Sequence, residues 1–335
     1  MTIENDFLPF ATGSGANVLD QSDYAALAAL STGYQAGIAQ SAAVNKTWRQ
    51  SSIMASVLAQ FIVQQTGQAA IDDGTTATLL ANLTAAVKAS SSSAIGTIVN
   101  GTVNLTSASN SLTFKADQVI VGSALNGFVY SVPSVNLTIN TATVGANGMN
   151  TGSPAVSGFV NVYLLLNPNT GASALLGVND TGVVPPMVCA ATGIPSGYTA
   201  SALVGAYWTN GSGQFQPVMQ YNRRIFASSG TGLSGAGTAT LQGFVWAGVP
   251  SAAKTVSGAI NITNTGSSSD TVALFPLSTG GPGSKGANRN STTGGIQSPF
   301  SDLPINPATP RTNWYTISAT GGSITVTVFS TDYTI

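Results

Sequence analysis

The chain has 335 residues, with ten Lys and Arg, eleven Asp and Glu, no His and a net charge of −1. Only 6% of its residues are charged, against roughly 25% in an ordinary soluble chain, while 43% are hydrophobic. So apolar a chain is not intrinsically disordered, and its few scattered basic residues give no footprint for nucleic acid.

The opening MTIENDFLPF lacks a basic stretch followed by an apolar one, so no secretory signal is expected. LDQSDYAALAALSTG predicts a first helix, capped by Asp20 or Ser22 and stopped by Gly33. A second helix is expected to start near Trp48. In it Ile53, Val57 and Phe61 recur every four residues beside the row Met54, Leu58 and Ile62, and Gly67 marks its end. Gln50–Ile71 carries no formal charge. Five glutamines and three serines interrupt it, however, and a spanning helix needs about 20 mainly apolar residues, so no membrane span is expected. Asp72 and Asp73 suit a helix N-terminus. A third helix, capped by Thr75 or Thr76, follows with Leu80, Leu83 and Val87 at the spacing of a coiled-coil seam. That seam is too short to hold chains together alone. Ser90–Ser93 reads as a joint.

After about Thr97 the period becomes two. GFVNVYLLLNPNTGASALLGV and ALVGAYWTNGSGQFQPVMQYNRR each predict a hairpin, with turns at Asn167–Gly171 and Asn210–Gly213. SSGTGLSGAG reads as a linker. Its Gly230, Gly232 and Gly235 spell a dinucleotide-binding pattern without the helix and acid that such a site needs. STGGPGSKGANRNSTTGG is expected to be a long surface loop. Near the end Ile324, Val326 and Val328 alternate with Ser323, Thr325 and Thr327, which predicts a strand with one buried face. The expected class is α+β, mainly β: a helical head followed by β-sandwich-like domains. The expected divisions are residues 1–95, 96–227, a linker at 228–237, and 238–335.

Chemistry has little to work with. Without His, Ser-His-Asp triads, Cys-His pairs and the commonest zinc sites are gone. Cys189, the single cysteine, sits in the apolar run PPMVCAA and reads as a buried thiol. No cofactor or metal is expected, and no catalytic residue. A glycosidase would need two facing carboxylates, drawn beyond the head from Asp117, Asp180, Asp270, Asp302 and Asp332, which read better as single acids in turns. Tyr207-Trp208, Trp314-Tyr315 and Trp246 suit either core packing or a contact surface.

Two stretches carry a resemblance. The run from FATG through NKTWRQSS to DDG and LLANL resembles the N-terminal segment of tail fibre proteins of bacteriophages infecting Gram-negative bacteria. VYLLLNPNTGASALLGV and PSGYTASALVGAYWTNGSGQFQPVMQYNRRI are similar to a β module of phage tail proteins. The resemblance implies a homotrimeric, non-enzymatic virion component, made in the host cytoplasm. Its head would dock to tail or baseplate proteins and form the trimer through Trp48, Ile53, Val57, Leu58, Phe61, Ile62, Leu80, Leu83 and Val87. Its distal part would face a host surface glycan or outer-membrane receptor, with Trp246, Trp314 and Tyr315 as candidate contacts. The alternatives are a baseplate or tail-tip protein that connects to a separate receptor binder, and a polysaccharide-degrading fibre.

Overall fold

The structure, a computed structural model, describes residues 3–38, 40–89, 93–291 and 294–335. Strand makes up 43% of the chain and helix 15%, which establishes the mainly β α+β class. The chain divides into two units, Met1–Ser92 and Ser93–Ile335.

The first unit holds α1 (Gln21–Ala25), α2 (Ala29–Thr32), α3 (Ser41–Thr66) and α4 (Ala77–Ala89). Two short helices thus replace the single one expected before Gly33. Asp20 caps α1 by accepting from the Asp23 N–H at 3.0 Å, and that bond holds its carboxyl below the usual range. α3 starts at Ser41 rather than near Trp48, because SAAVNKT contains no breaker and its alanines favour helix. It stops at Gly67, whose φ of 67° is left-handed and whose N–H reaches the Val63 carbonyl. Ahead of α4, Asp73 accepts from both the backbone N–H and the hydroxyl of Thr75 at 2.8 Å. The segment at Glu4–Asp6 is bonded to Ala70, in the α3–α4 connection. The joint expected over Ser90–Ser93 lies, apart from Ser93, outside the described residues.

The second unit begins with β1 (Ile98–Val99), β2 (Thr102–Leu105), β3 (Ser111–Gly122), β4 (Val129–Asn140), β5 (Gly148–Met149), β6 (Phe159–Leu166), β7 (Ser173–Asn179), β8 (Ala200–Trp208) and β9 (Val218–Tyr221). β6 and β7 form the expected hairpin. The second expected hairpin does not form a ladder: β8 pairs with β6 and β3, β9 pairs with β2 and β10, and a single bridge joins Thr209 to Phe215. Almost every residue of β6 and β8 is buried, so these strands read as continuous apolar runs.

Eight further strands follow: β10 (Arg224–Ala236), β11 (Ala239–Val245), β12 (Thr255–Asn264), β13 (Ser268–Phe275), β14 (Lys285–Ser291), β15 (Gly294–Pro304), β16 (Thr312–Ala319) and β17 (Ile324–Thr334). They lie as β15-β12-β17-β10 in one layer and β11-β16-β13-β14 in the other, the connectivity of a jelly roll. β17 alternates buried and outward residues as its sequence predicts. Two expectations are corrected. The linker at 228–237 is mostly strand, because β10 pairs with β9 at its start and with β17 along its length, carrying one sheet from the first set of strands into the jelly roll. The glycine-rich loop at 278–295 contains β14 and the start of β15, which gain their order from pairing with β13 and β12.

A buried ion pair pins one end of the jelly roll. Arg289 and Asp270 are almost wholly inaccessible and meet at 2.6 Å. Arg289 also donates to the carbonyls of Gly266 and Gly294, and Asn264 donates to Asp270, Ser268 and the Gly321 carbonyl. The loops after β12, β14 and β16 are thereby fastened to one another.

Candidate functional site

The apolar residues of the head are distributed inside out. Among its described residues the buried apolar side chains are Tyr24, Ile62 and five alanines: Ala43, Ala59, Ala70, Ala86 and Ala89. Its larger ones are outside. Trp48 is 58% exposed, Leu80 65%, Val87 57%, Val57 51% and Leu58 47%, with Ile53 and Met54 alongside. α3 and α4 pack through small side chains, which draws the helices together and leaves the bulky rows to face outward. Between them lies an apolar groove of about 300 Å³ whose walls include Phe7, Leu58, Ile62, Leu79, Leu80 and Leu83. Arg49 and the buried Lys46, whose ammonium stands 5.9 Å from the Tyr24 ring centre, are the only charged residues of α3.

Most of the nine head residues singled out from the sequence are thus accessible. Phe61 and Leu83 are half-buried. Ile62 is the correction: at 4% exposure it belongs to the interior of the helix pair. Sequence reasoning missed Phe7 and Leu79. The apolar pair Phe7-Leu8 ahead of the helices was the available signal for Phe7, while Leu79 falls beside the seam row. Phe10 also joins this surface, edge-on to Trp48 at 5.8 Å with its N–H bonded to the Ser52 hydroxyl.

The three distal aromatics do not form one site. Trp246 is fully buried, donates to Asn313 Oδ1 at 2.7 Å and packs edge-on to Phe244; it is a core residue and not a surface contact. Tyr315 lies on the inner face of its sheet, against Phe244 and bonded to Gln242 at 3.0 Å. Trp314 points the other way, beside Gly243 on the outer face, and remains half-exposed. Of the acids, Asp270 and Asp332 are held by Arg289 and Arg224. Cys189 is buried, which raises its thiol pKa. Among the described residues no three Cys, Asp or Glu side chains converge as a metal site, and no helix is long and apolar enough to cross a membrane. No family model, curated protein or solved structure matches the chain.

Proposed function

We propose that this chain is a structural virion component, a bacteriophage tail fibre protein that docks and trimerises through its helical head and presents its β strands for host recognition. One observation carries the reading: a head whose interior is mostly alanine while Trp48, Val57, Leu58, Leu80 and Val87 stand outside. Burying each of these large side chains is worth about 1.5–3 kcal/mol, so exposure of this kind favours partners over water. The near-neutral surface adds little repulsion between copies. Light scattering on the purified chain should give three times 33.6 kDa. A stable monomer at micromolar concentration would end the trimeric reading.

A second reading, a tail-tip or baseplate protein that bridges to a separate receptor binder, draws support from the burial of Trp246, which removes one of the three expected receptor contacts. Purified protein that forms trimers and fastens to tails, yet does not adhere to host envelope material, would favour it.

A further inference from the structure

The dipeptide Asn-Gly occurs four times, at Asn100, Asn126, Asn147 and Asn210, each time in the second unit. It is the pair best suited to attack by a backbone nitrogen on the preceding side-chain amide. Glycine has no Cβ to shield its nitrogen, and its backbone reaches conformations that other residues resist. In a folded chain the reaction also needs the amide and the nitrogen to be free to approach each other. The four sites therefore form a comparison within one molecule.

Three of them are clamped. Asn100 Nδ2 donates to Asp117 Oδ2 at 2.7 Å, and the Gly101 N–H is committed to Asn222 Oδ1 at 2.8 Å. Asn147 Oδ1 accepts from the Leu175 N–H at 2.9 Å, its own N–H donates to the Leu175 carbonyl at 2.8 Å, and Gly148 is buried. Asn210 Oδ1 accepts from the N–H groups of Ser212 and Gln214, and its Nδ2 donates to Gln214 Oε1. Asp73-Gly74 in the head, a pair that closes the same ring by losing water, has its carboxylate held by both the N–H and the hydroxyl of Thr75 at 2.8 Å.

Asn126 differs from all of these. It lies with Gly127 in the turn between β3 and β4, where both residues are exposed and the neighbouring Leu125 is 79% exposed. Its side chain makes no hydrogen bond among the described residues. The Gly127 N–H is restrained only by the Ala124 carbonyl at 3.0 Å, on the surface of the same turn. Exposed turn bonds of this kind open at little cost, whereas the three clamps open only with the strands around them.

We propose that Asn126 is a self-modification site, at which the Gly127 nitrogen attacks Asn126 Cγ. The new bond closes a succinimide, and the side-chain amide leaves as ammonia, taking up the proton that the Gly127 nitrogen gives up. Water then adds to one of the two imide carbonyls. Opening on one side leaves aspartate at 126; opening on the other leaves isoaspartate, whose backbone runs through the former side chain. Water is the sole co-reactant. Either product adds a carboxylate to a chain whose net charge is only −1, and so doubles that charge. The strands keep their register, because the Ser123 N–H bonds the Phe128 carbonyl and the Phe128 N–H bonds the Ser123 hydroxyl, both at 3.0 Å and both outside the reacting pair. The inference is independent of the virion reading.

The test uses the full chain, incubated warm in mildly alkaline buffer, which favours loss of the amide proton. Peptide mapping by mass spectrometry follows each of the four asparagines, and isoaspartyl methyltransferase labels the isoaspartate. Asn126 should convert at least about tenfold faster than Asn100, Asn147 or Asn210, since each of those must first break two or more bonds. In urea, where the clamps are gone, the four rates should converge. Asn126→Gln keeps an amide but requires a larger ring that closes more slowly; it should abolish the first acidic species seen on ion exchange. The proposal is overturned if Asn126 persists in the folded chain while the unfolded chain reacts, if any of the other three keeps pace with it in folded protein, or if that acidic species survives in Asn126→Gln.

Discussion

The head and the β unit treat their large apolar side chains in opposite ways. Among the described residues the head exposes more of them than the β unit does, although the β unit is more than twice as long. The connected core of large buried residues begins only at Ile98 and runs through every major strand to Ile335. The β unit completes its own interior and can spend surface on polar Ser, Thr and Asn. The head holds itself together through alanine contacts, two larger side chains and a few hydrogen bonds, and leaves most of its larger apolar side chains exposed.

That contrast breaks most sharply at the ion pair. Asp270→Asn removes one charge and leaves Arg289 uncompensated in the interior, which should cost the β unit about 3–5 kcal/mol. Urea unfolding, followed by the fluorescence of Trp208, Trp246 and Trp314, measures the loss. A cost below about 1 kcal/mol would mean that water reaches the pair. The matching experiment on the head is Leu58→Asp with Leu80→Asp. These positions are exposed within one chain, so the unfolding midpoint of the β unit should stay unchanged. Association should weaken at least about a hundredfold by sedimentation, from two lost burials of about 1.5–3 kcal/mol each. A lowered β-unit midpoint with intact association would reverse the assignment of roles.

A smaller effect is expected from Trp246→Phe, which strands Asn313 Oδ1 in the core and should destabilise the β unit by about 1–3 kcal/mol without touching self-association. The smallest effect appears only in alkali. Burial pushes the phenols of Tyr163, Tyr207 and Tyr333 up, all three in the β unit. An unfolded tyrosine ionises near about pH 10. Above that pH the unfolded state holds fewer protons than the folded one, so stability is complete below about pH 10 and declines as pH rises beyond it. Tyr333→Phe removes one of these groups and its bond to the Ala206 carbonyl. It should cost about 1 kcal/mol at neutral pH and flatten the alkaline decline in a denaturant series.

What the sequence discloses follows from how local the cause is. The alternation at Ile324, Val326 and Val328, the left-handed stop at Gly67 and the β6–β7 turn are set by near neighbours, and each is legible. β10 is not, because SSGTGLSGAG has glycine, serine and threonine with hardly an apolar residue. Its order comes from β17, about a hundred residues away, and from β9. β14 hides for a related reason: Arg289 reads as a solvent-facing residue until Asp270 is seen beside it. The apolar stripe of α3 is plain in the sequence, but which row faces inward is not. Ile62 turns in, whereas Val57 and Leu58 stay out, because Ala43, Ser56 and Ala59 permit close approach and the bulky rows do not. Trp246 was ambiguous for want of its partner: only the approach of Asn313 satisfies the indole N–H and makes burial tolerable.

The place of β17 governs how the molecule can be made. It lies between β10 and β12, and each of those strands bonds to it along most of its length. A ribosome delivers both flanking strands well before it delivers their middle. Until residue 324 emerges, the sheet has a gap one strand wide, bordered by two long rows of unsatisfied N–H and C=O groups, and such edges recruit strands from other chains. Growing chains held close on one message are therefore exposed to mispairing during this interval, and a premature stop shortly before residue 324 should yield aggregate rather than a shortened jelly roll.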